Sequence, residues 1–557
     1  MQSLYTAAQV RELDRIVIEK FGISGYELMR RAGDFAYDVL CNKFTARNIF
    51  VFCGRGNNAG DGYVLAKAAI ESETHDKVIV INCFNPEKLE GDAKTAYQDL
   101  ATMKYDKNNV EICDHSVLRK NKFRDYDYLD AVHVDAIFGT GLTRDINDEN
   151  LVRTIKFINS NKKWPEYKGE GIRKRGVLSI DIPTGLNADT GSVMGVAVNA
   201  DVTATFMGRK RGMFTHDGCE YSGQIEFSPL GIPNESYDEL GDSHCYLTEP
   251  YDLGPKTIGY ECLATRKRNA HKGHFGHVLV IGGDEGYLGA SQMAAEAAMR
   301  VGSGLVSVAT RKSHAAQLSI AVPEIMSHGV ETLDELMPLI KRANVIAIGP
   351  GLGQSEWAKL LFARVLESDL PIIIDADALN LLSEEEQSSP NWVITPHPGE
   401  ASRLLKTDVD AIQSDRFQSA KMLHEKYQGP VVLKGCGSIV ADSRGNLFVC
   451  DVGNPGMSSG GMGDVLTGTI AGFIAQGIEM DEATYRDWNR IPDEDDVDVI
   501  GDATKLGVLM HAYAADLAAG SMERGLMATD LMPYLRKLAN YPGISRDDSC
   551  NIKMIDR

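Results

Sequence analysis

Several broad classes are excluded by what this sequence lacks. Its ten cysteines are scattered through 557 residues with no CxxC pair, so neither a zinc site nor a disulfide framework is suggested. A reducing, cytoplasmic setting suits them. No apolar run approaches the roughly 20 residues that span a bilayer. The N-terminus MQSLYTAAQVRELDR is polar, carries acids early, and is unlike a secretory signal. Basic residues are in deficit, 58 against 78 acidic ones, for a formal charge of -20. That balance argues against a general nucleic-acid or anionic-membrane binder, so any phosphate must be held locally. The two commonest local devices are also missing, since no GxGxxG fingerprint and no GK[ST] of a P-loop occurs.

What is present is a chain too long for one ordinary core, which makes two domains the expectation. A composition of 43% hydrophobic and 24% charged residues with 54 glycines reads as a globular protein rich in turns. The most informative stretch is Asn454–Asp464, NPGMSSGGMGD, between the strand-like NLFVCDV and the helix-like VLTGTIAGFIAQG. Gly460, Gly461 and Gly463 allow a tight turn that aims consecutive N–H groups into one space at the positive end of a helix. Asp464 stands at the same helix start, where a carboxylate can take a proton from a hydroxyl while the amides hold a phosphoryl group. An isolated GxGD of this kind is more often only a helix N-cap, so the reading depends on the other loops.

In the first half, two helical runs over residues 5–45 precede the strand NIFVFCG and the loop GRGNNAGDG, Gly54 to Gly62. Asn57, Asn58 and Asp61 add amide and carboxylate oxygens to an anion-binding turn, a mixture suited to a phosphate and a cation together. An Asx-rich turn without a ligand is the plainer alternative. The strands KVIVINCF, HVDAIFG, VLSIDIP and VTATFMG alternate with helical stretches, which indicates a parallel sheet whose ligands bind beyond the strand ends. Asp135 and Asp181 fall inside apolar runs, where an unpartnered carboxylate is costly, so both are expected to share something positive. A cation held by Asn58, Asp135 and the Thr184 hydroxyl would satisfy this and leave Asp181 free for acid/base work; the plainer alternative is that both acids only cap helices or bond loop amides.

GNNAGDG, VDAIFGTGLTRD and SIDIPTGLNADTG together resemble the N-terminal module of the bifunctional NAD(P)H-hydrate repair enzymes, an NAD(P)HX epimerase. The resemblance implies a Rossmann-like three-layer α/β/α domain over residues 1–235. It implies substrate contacts from Asn57, Asn58, Ala59, Gly60 and Asp61, and from Gly139, Thr140, Gly141, Leu142, Thr143, Arg144 and Asp145. Asp181 is implied as catalytic and substrate-binding, and a potassium ion at Asn58, Asp135 and Thr184. Ala59 stands where the common form has glycine, and its methyl would crowd the ligand if φ were positive there. The basic segment 161–176 reads as a surface loop.

Residues 236–262 have weak periodicity and read as a linker. Beyond them, HKGHFGHVLVIGG, GPGLG, TPHPGE, LKGCGS and the GGMGD loop resemble the ribokinase-like ADP/ATP-dependent NAD(P)HX dehydratase, implied for residues 263–557. Carried over by motif, Ala290, Gly353, His397 and Asp464 would meet the hydrate. Lys434, Gly435, Cys436, Gly437, Ser438 and Gly463 would meet the nucleotide. Asp464 is the implied catalytic base, ADP (or ATP) with Mg2+ the phosphoryl donor, and a homo-oligomer is expected. The stretch 481–502 carries nine acids and reads as a solvated insertion between helices. The competing reading is a ribokinase-like small-molecule kinase fused to a non-catalytic nucleotide-binding module. Fusion to the epimerase-like half and the TPHPGE loop count against it.

Overall fold

The computed structural model describes residues 2–120, 131–161, 175–248, 266–478 and 498–540. The chain forms two compact units, Ser3–Cys245 and Tyr246–Arg557 with the first two residues.

In the first unit, β1 (Gln2–Tyr5), β2 (Asn48–Cys53), β3 (Lys77–Asn82), β4 (Val110–Asp114), β5 (Ala131–Ala136), β6 (Gly176–Ile180), β7 (Val202–Phe206), β8 (Arg209–Lys210) and β9 (Gln224–Ser228) follow in order. Seven of them form a sheet in the order β4-β3-β2-β5-β6-β7-β9, parallel throughout. The β2 sequence explains the two layers of helices. Ile49, Val51 and Cys53 face one core, beneath the helices Gly25–Lys43 and Asn57–Glu71, while Phe50 and Phe52 face another with Ile155 and Ile158. The strand order reverses between β2 and β5, and a ligand crevice belongs at that switch point.

The second unit carries β10 (Cys245–Leu247), β11 (His277–Ile281), β12 (Leu305–Thr310), β13 (Met326–Gly329), β14 (Val345–Ile348), β15 (Ile372–Ile374), β16 (Trp392–Ile394), β17 (Val431–Leu433), β18 (Ser438–Ala441) and β19 (Leu447–Cys450). The order β13-β12-β11-β14-β15-β16-β17 is parallel, and β18 and β19 extend it antiparallel. Its main core lies against the helices Leu288–Arg300, Met462–Ile478 and Val499–Ala519. Here too the order reverses, between β11 and β14.

Four expectations need correction. The loop expected at Gly54–Gly62 is in part a helix, because Asn57–Glu71 begins at Asn57. Residues of the expected linker are ordered, as a helix Glu235–Leu240 and β10, while 249–265 lie outside the described residues. Asp502, assigned to a solvated insertion, lies in the helix Val499–Ala519 and pairs with Lys505 at 2.8 Å; residues 479–497 are outside the description. The ends of the expected surface loop 161–176 are buried, with Asn161 Nδ2 donating to Ala131 O and Gly176 O, both at 2.9 Å; residues 162–174 are likewise not described.

Candidate functional site

A cavity of about 950 Å³ opens in the first unit at the β2/β5 switch point. The loops leaving these strands touch closely. Gly54 N donates to Ala136 O at 3.0 Å, and a Cβ at Gly54 would come within 1.8 Å of Ile137 O. The helix Asn57–Glu71 starts there without a side-chain cap; Ala59 N donates to Gly56 O at 2.9 Å, and among the described residues the N–H groups of Asn57 and Asn58 have no partner and can meet an anion.

Asn57, Asn58, Asp61, the stretch Gly139 to Asp145 and Asp181 all line this cavity. Ala59 and Gly60 do not. Ala59 is fully buried in the core at ordinary φ, so its methyl causes neither strain nor crowding. Gly60 faces Met29, whose sulfur would lie 2.4 Å from an added Cβ.

Asp135 and Asp181 do not share one positive group. Asp181 Oδ1 accepts from the Lys210 ammonium, which is fully buried and also donates to Thr205 Oγ1 at 2.9 Å and Phe206 O at 3.2 Å. Asp135 instead accepts from Thr184 N (2.8 Å), Thr184 Oγ1 (2.7 Å), Ser179 Oγ (2.9 Å) and Ile137 N (3.3 Å). Burial raises its pKa, against the pull of these hydrogen bonds. Asn58 is the exception to this saturation: both polar atoms of its side chain are buried without a partner among the described residues. Asp181 has φ +69°, a strained conformation for a non-glycine residue and one typical of functional sites.

Three of the acids that line the cavity, Asp14, Asp61 and Asp181, act on one another. Burial, with the charges of Asp181 and Asp14, holds Asp61 well above the usual carboxylate range. Burial and Asp181 push Asp14 up to about 6. The side chains of Arg11, Arg55 and Arg144 also belong to the lining. Asp14, Arg11, Arg55 and Lys210 were not singled out from the sequence; only the basic run MGRKRG hinted at the last.

In the second unit, strand-end loops assemble another site. Asp375, just past β15, is 1% exposed; its Oδ1 accepts from Lys434 Nζ at 2.8 Å and its Oδ2 from Thr467 Oγ1 at 2.8 Å. Asp377 Oδ2 accepts from Gly353 N at 2.8 Å, and Ala376 between the two carboxylates has φ +47°. Gly463 and Asp464 lie in the first turn of the helix Met462–Ile478. A Cβ at Gly463 would lie 3.4 Å from Lys434 Nζ and 3.5 Å from Asp375 Oδ2, so glycine keeps this space open.

Burial and the nearby Asp375 charge push Asp464 up to about 7, against the pull of Lys434. Burial alone would lower Lys434, but Asp375 and Glu400 outweigh it and hold the ammonium above its ordinary range. Glu400 Oε2 lies 3.7 Å from Lys434 Nζ. His397 N-caps the helix Pro398–Leu404: its Nδ1 accepts from Gly399 N at 3.0 Å, and Glu400 Oε2 accepts from His397 N at 2.8 Å. Burial and the Lys434 charge lower its pKa, so the ring is neutral.

The expected LKGCGS loop is the turn between β17 and antiparallel β18, rather than a strand-to-helix loop. Gly435 N donates to Ser438 Oγ at 3.2 Å, and Cys436 is exposed at its tip. The buried Arg416 donates to Leu433 O at 3.1 Å and Lys434 O at 3.3 Å beneath it. Ala290 sits in the helix Leu288–Arg300, beside the loop after β14. Asp375 and Asp377 belong to the run PIIIDADALN, whose two acids after an apolar strand were the available signal. Among the described residues no group of three His, Cys, Asp or Glu side chains is placed to hold a metal ion, and no helix is long and apolar enough to cross a membrane.

Comparison with known proteins matches residues 25–212 to the YjeF-related protein N-terminus family and residues 278–537 to the NAD(P)H-hydrate dehydratase family. The bifunctional NAD(P)H-hydrate repair enzyme Nnr of Coxiella burnetii is 42% identical over 545 residues, covering 97% of this chain and 100% of its own. That of Escherichia coli is 36% identical over 540 residues, covering 97% and 94%. Among solved structures, the ADP/ATP-dependent NAD(P)H-hydrate dehydratase of Bacillus subtilis, co-crystallised with ATP and Mg2+, is 27% identical. It covers 50% of this chain and 95% of its own, with a TM-score of 0.41. With end-to-end identity to two-part relatives spanning both units, the chain belongs to the family of bifunctional NAD(P)H-hydrate repair enzymes.

Proposed function

We propose that the chain repairs hydrated NADH and NADPH, with residues 1–235 interconverting the two epimers of the hydrate and residues 263–557 dehydrating the S epimer. The observation that carries this reading is Asp464. It is a carboxylate at a helix N-terminus with its pKa pushed up to about 7 beside a buried ammonium. A base of that strength is half ionised near neutral pH and suited to take a proton from an alcohol.

Asp464 removes the hydroxyl proton of the hydrate, and the oxygen's electron pair attacks the terminal phosphorus of ADP or ATP. The bond from that phosphorus to the bridging oxygen breaks, its pair leaving with the nucleotide. The Lys434 ammonium and the N–H groups of the turn before the Asp464 helix offset the charge on the moving phosphoryl group. The poor leaving group, hydroxide, has then become phosphate. Its C–O bond breaks with the pair on oxygen, the neighbouring carbon loses a proton, and the ring double bond returns. Lys434, Gly435 to Ser438 and Gly463 are assigned to the nucleotide, and Ala290, Gly353 and His397 to the hydrate. A magnesium ion carried in on the phosphates would neutralise phosphate charge.

In the first unit, the arginines of the cavity suit the dinucleotide phosphates and its acids suit proton exchange at the ring, with Asp181 as the principal acid/base. The unpartnered Asn58 amide fits a potassium ion, which Asp135 and Thr184 would help to hold and which would fix the adjoining loops. ADP as donor, a cytoplasmic location and a homo-oligomer belong to the same proposal.

The test is recovery of reduced-nicotinamide absorbance from a mixture of both epimers with ADP or ATP, potassium and magnesium. Complete nucleotide-dependent recovery that Asp464→Asn abolishes is expected. No recovery with either nucleotide overturns the reading and favours a kinase acting on a stable alcohol.

A further inference from the structure

The helix Ala7–Phe21 lies before residue 25, where the family match to the first unit begins. It nevertheless forms part of the cavity wall. Positions 10, 14 and 18 fall on one helical face at spacings of four, and Val10, Asp14 and Ile18 all line the cavity, with Arg11 beside them. Two loops hold the helix against the site. Ala7 N donates to Asp189 Oδ1 at 2.6 Å, and Arg11 Nη1 donates to Thr140 O at 3.3 Å. The strand just before it, β1, pairs with β8 so that Tyr5 lies opposite Lys210, whose ammonium holds Asp181.

Asp14 is the anomaly on this face. An aliphatic side chain would continue the stripe begun by Val10 and Ile18, whereas a largely buried carboxyl without a partner costs free energy. Among the described residues no hydrogen bond or ion pair reaches it. The charged groups that act on it are Asp181, which disfavours its ionised form, and Lys210, which favours it; Asp14 in turn raises the pKa of the neighbouring Asp61. Arg11 stands at the rim.

We propose that Asp14 is a further catalytic residue of the first unit, exchanging a proton with the ring hydroxyl of the hydrate in partnership with Asp181. This rests on the epimerase reading above. Hydration of an enamine puts the hydroxyl on the carbon beside the ring nitrogen. The Asp14 carboxyl proton moves to that hydroxyl, and the C–O bond breaks with its pair leaving as water. The nitrogen lone pair forms C=N. Water then adds to the opposite face: its oxygen pair makes the new C–O bond, the C=N pair returns to nitrogen, and the released proton goes to the Asp181 carboxylate. The reverse direction uses the two acids in the opposite sense, and exchange with solvent resets the one proton they share. At pH 7 a carboxyl with a pKa of about 6 is protonated roughly a tenth of the time, against less than about a thousandth for an ordinary one.

The experiment follows exchange between separated epimers by chromatography in the full-length wild type, Asp14→Asn and Asp14→Glu, from pH 5 to 8. Thermal unfolding followed by circular dichroism serves as the folding control for the first unit, and nucleotide-dependent dehydration of the S epimer as the control for the second. Expected for Asp14→Asn is a loss of ~10² to 10⁴-fold in epimerisation kcat with KM little changed, and disappearance of the limb on which the wild-type rate falls as pH rises through about 6. Asp14→Glu should restore part of the rate with a displaced limb. Wild-type kcat in Asp14→Asn, an effect on KM alone, or a loss of rate with the limb unmoved overturns the assignment. Should Asp14→Asn unfold the first unit, Asp14→Glu decides: a displaced limb supports the proposal and an unmoved one overturns it. A wild type that does not exchange the epimers overturns the epimerase reading together with this one; exchange that is indifferent to Asp14 overturns this one alone.

Discussion

Asp375 and Lys434, 59 residues apart in sequence, form an ion pair of 2.8 Å in which the carboxylate is 2% exposed. Its second oxygen accepts from Thr467, on the helix that carries Asp464, so one buried carboxylate ties the end of β17 to that helix. Burial would raise the Asp375 pKa, but Lys434 outweighs it and keeps the carboxylate ionised.

Removing that charge should be felt twice. Asp375→Asn leaves the mostly buried ammonium with Glu400 at 3.7 Å as its remaining carboxylate, and breaking such a pair costs about 3 kcal/mol. Chemical denaturation of the second unit reads that loss. The limb set by Asp464 should move to lower pH in the same variant, because Asp375 is one of the charges that hold it up.

The dehydration rate should fall as pH drops through about 7, since Asp464 acts as a base only when ionised. Well below that pH, each unit removes about tenfold in kcat/KM. Asp464→Asn should cost ~10² to 10⁴-fold at pH 8.

The same shift predicts a stability trade-off. A carboxyl raised in the folded state from 3.8 to about 7 favours folding when protonated. That contribution is lost progressively as pH rises from about 4 to about 7, so the ionised group opposes folding above that window. Asp464→Asn should therefore stabilise the second unit at pH 8 by roughly 1–4 kcal/mol, at ~1.4 kcal/mol per pH unit. Thermal unfolding at pH 5 and pH 8 checks this, with a gain already present at pH 5 and larger at pH 8.

Lys210→Met should destabilise the first unit by about 3 kcal/mol, because it leaves the Asp181 carboxylate without its charged partner. Epimer exchange should fall with it, while dehydration of the pure S epimer, performed in the other unit, stays at the wild-type rate.

Potassium should raise the unfolding temperature of the first unit by mass action. Sodium should do so less, and Asn58→Ala should abolish the difference, because the amide oxygen now buried without a partner is gone. Differential scanning fluorimetry with matched chloride salts measures it.

Much of the fold was legible because short apolar strand runs are local signals. NIFVFCG, KVIVINCF and VTATFMG appear as β2, β3 and β7. β4 and β9, at the two sheet edges, were missed because VEICD and QIEFS are five residues long, bury little and lack the continuous apolar run of the central strands. The start of the helix at Asn57 was misread as loop, since Asn and Gly carry a strong turn signal that tertiary packing of Ala59 and Gly62 overrides here.

The sequence by itself determined the two parallel-sheet units, the family, and the loops where anions can be met, because glycine spacing and hydrophobic pattern act over a few residues. Only the tertiary structure decided which charges face one another. Lys210 belongs to Asp181, Lys434 to Asp375, and Asp14 reaches a cavity whose other walls come from residues tens to hundreds of positions away. Electrostatic partnership depends on distance and burial, and neither is set until the chain has folded.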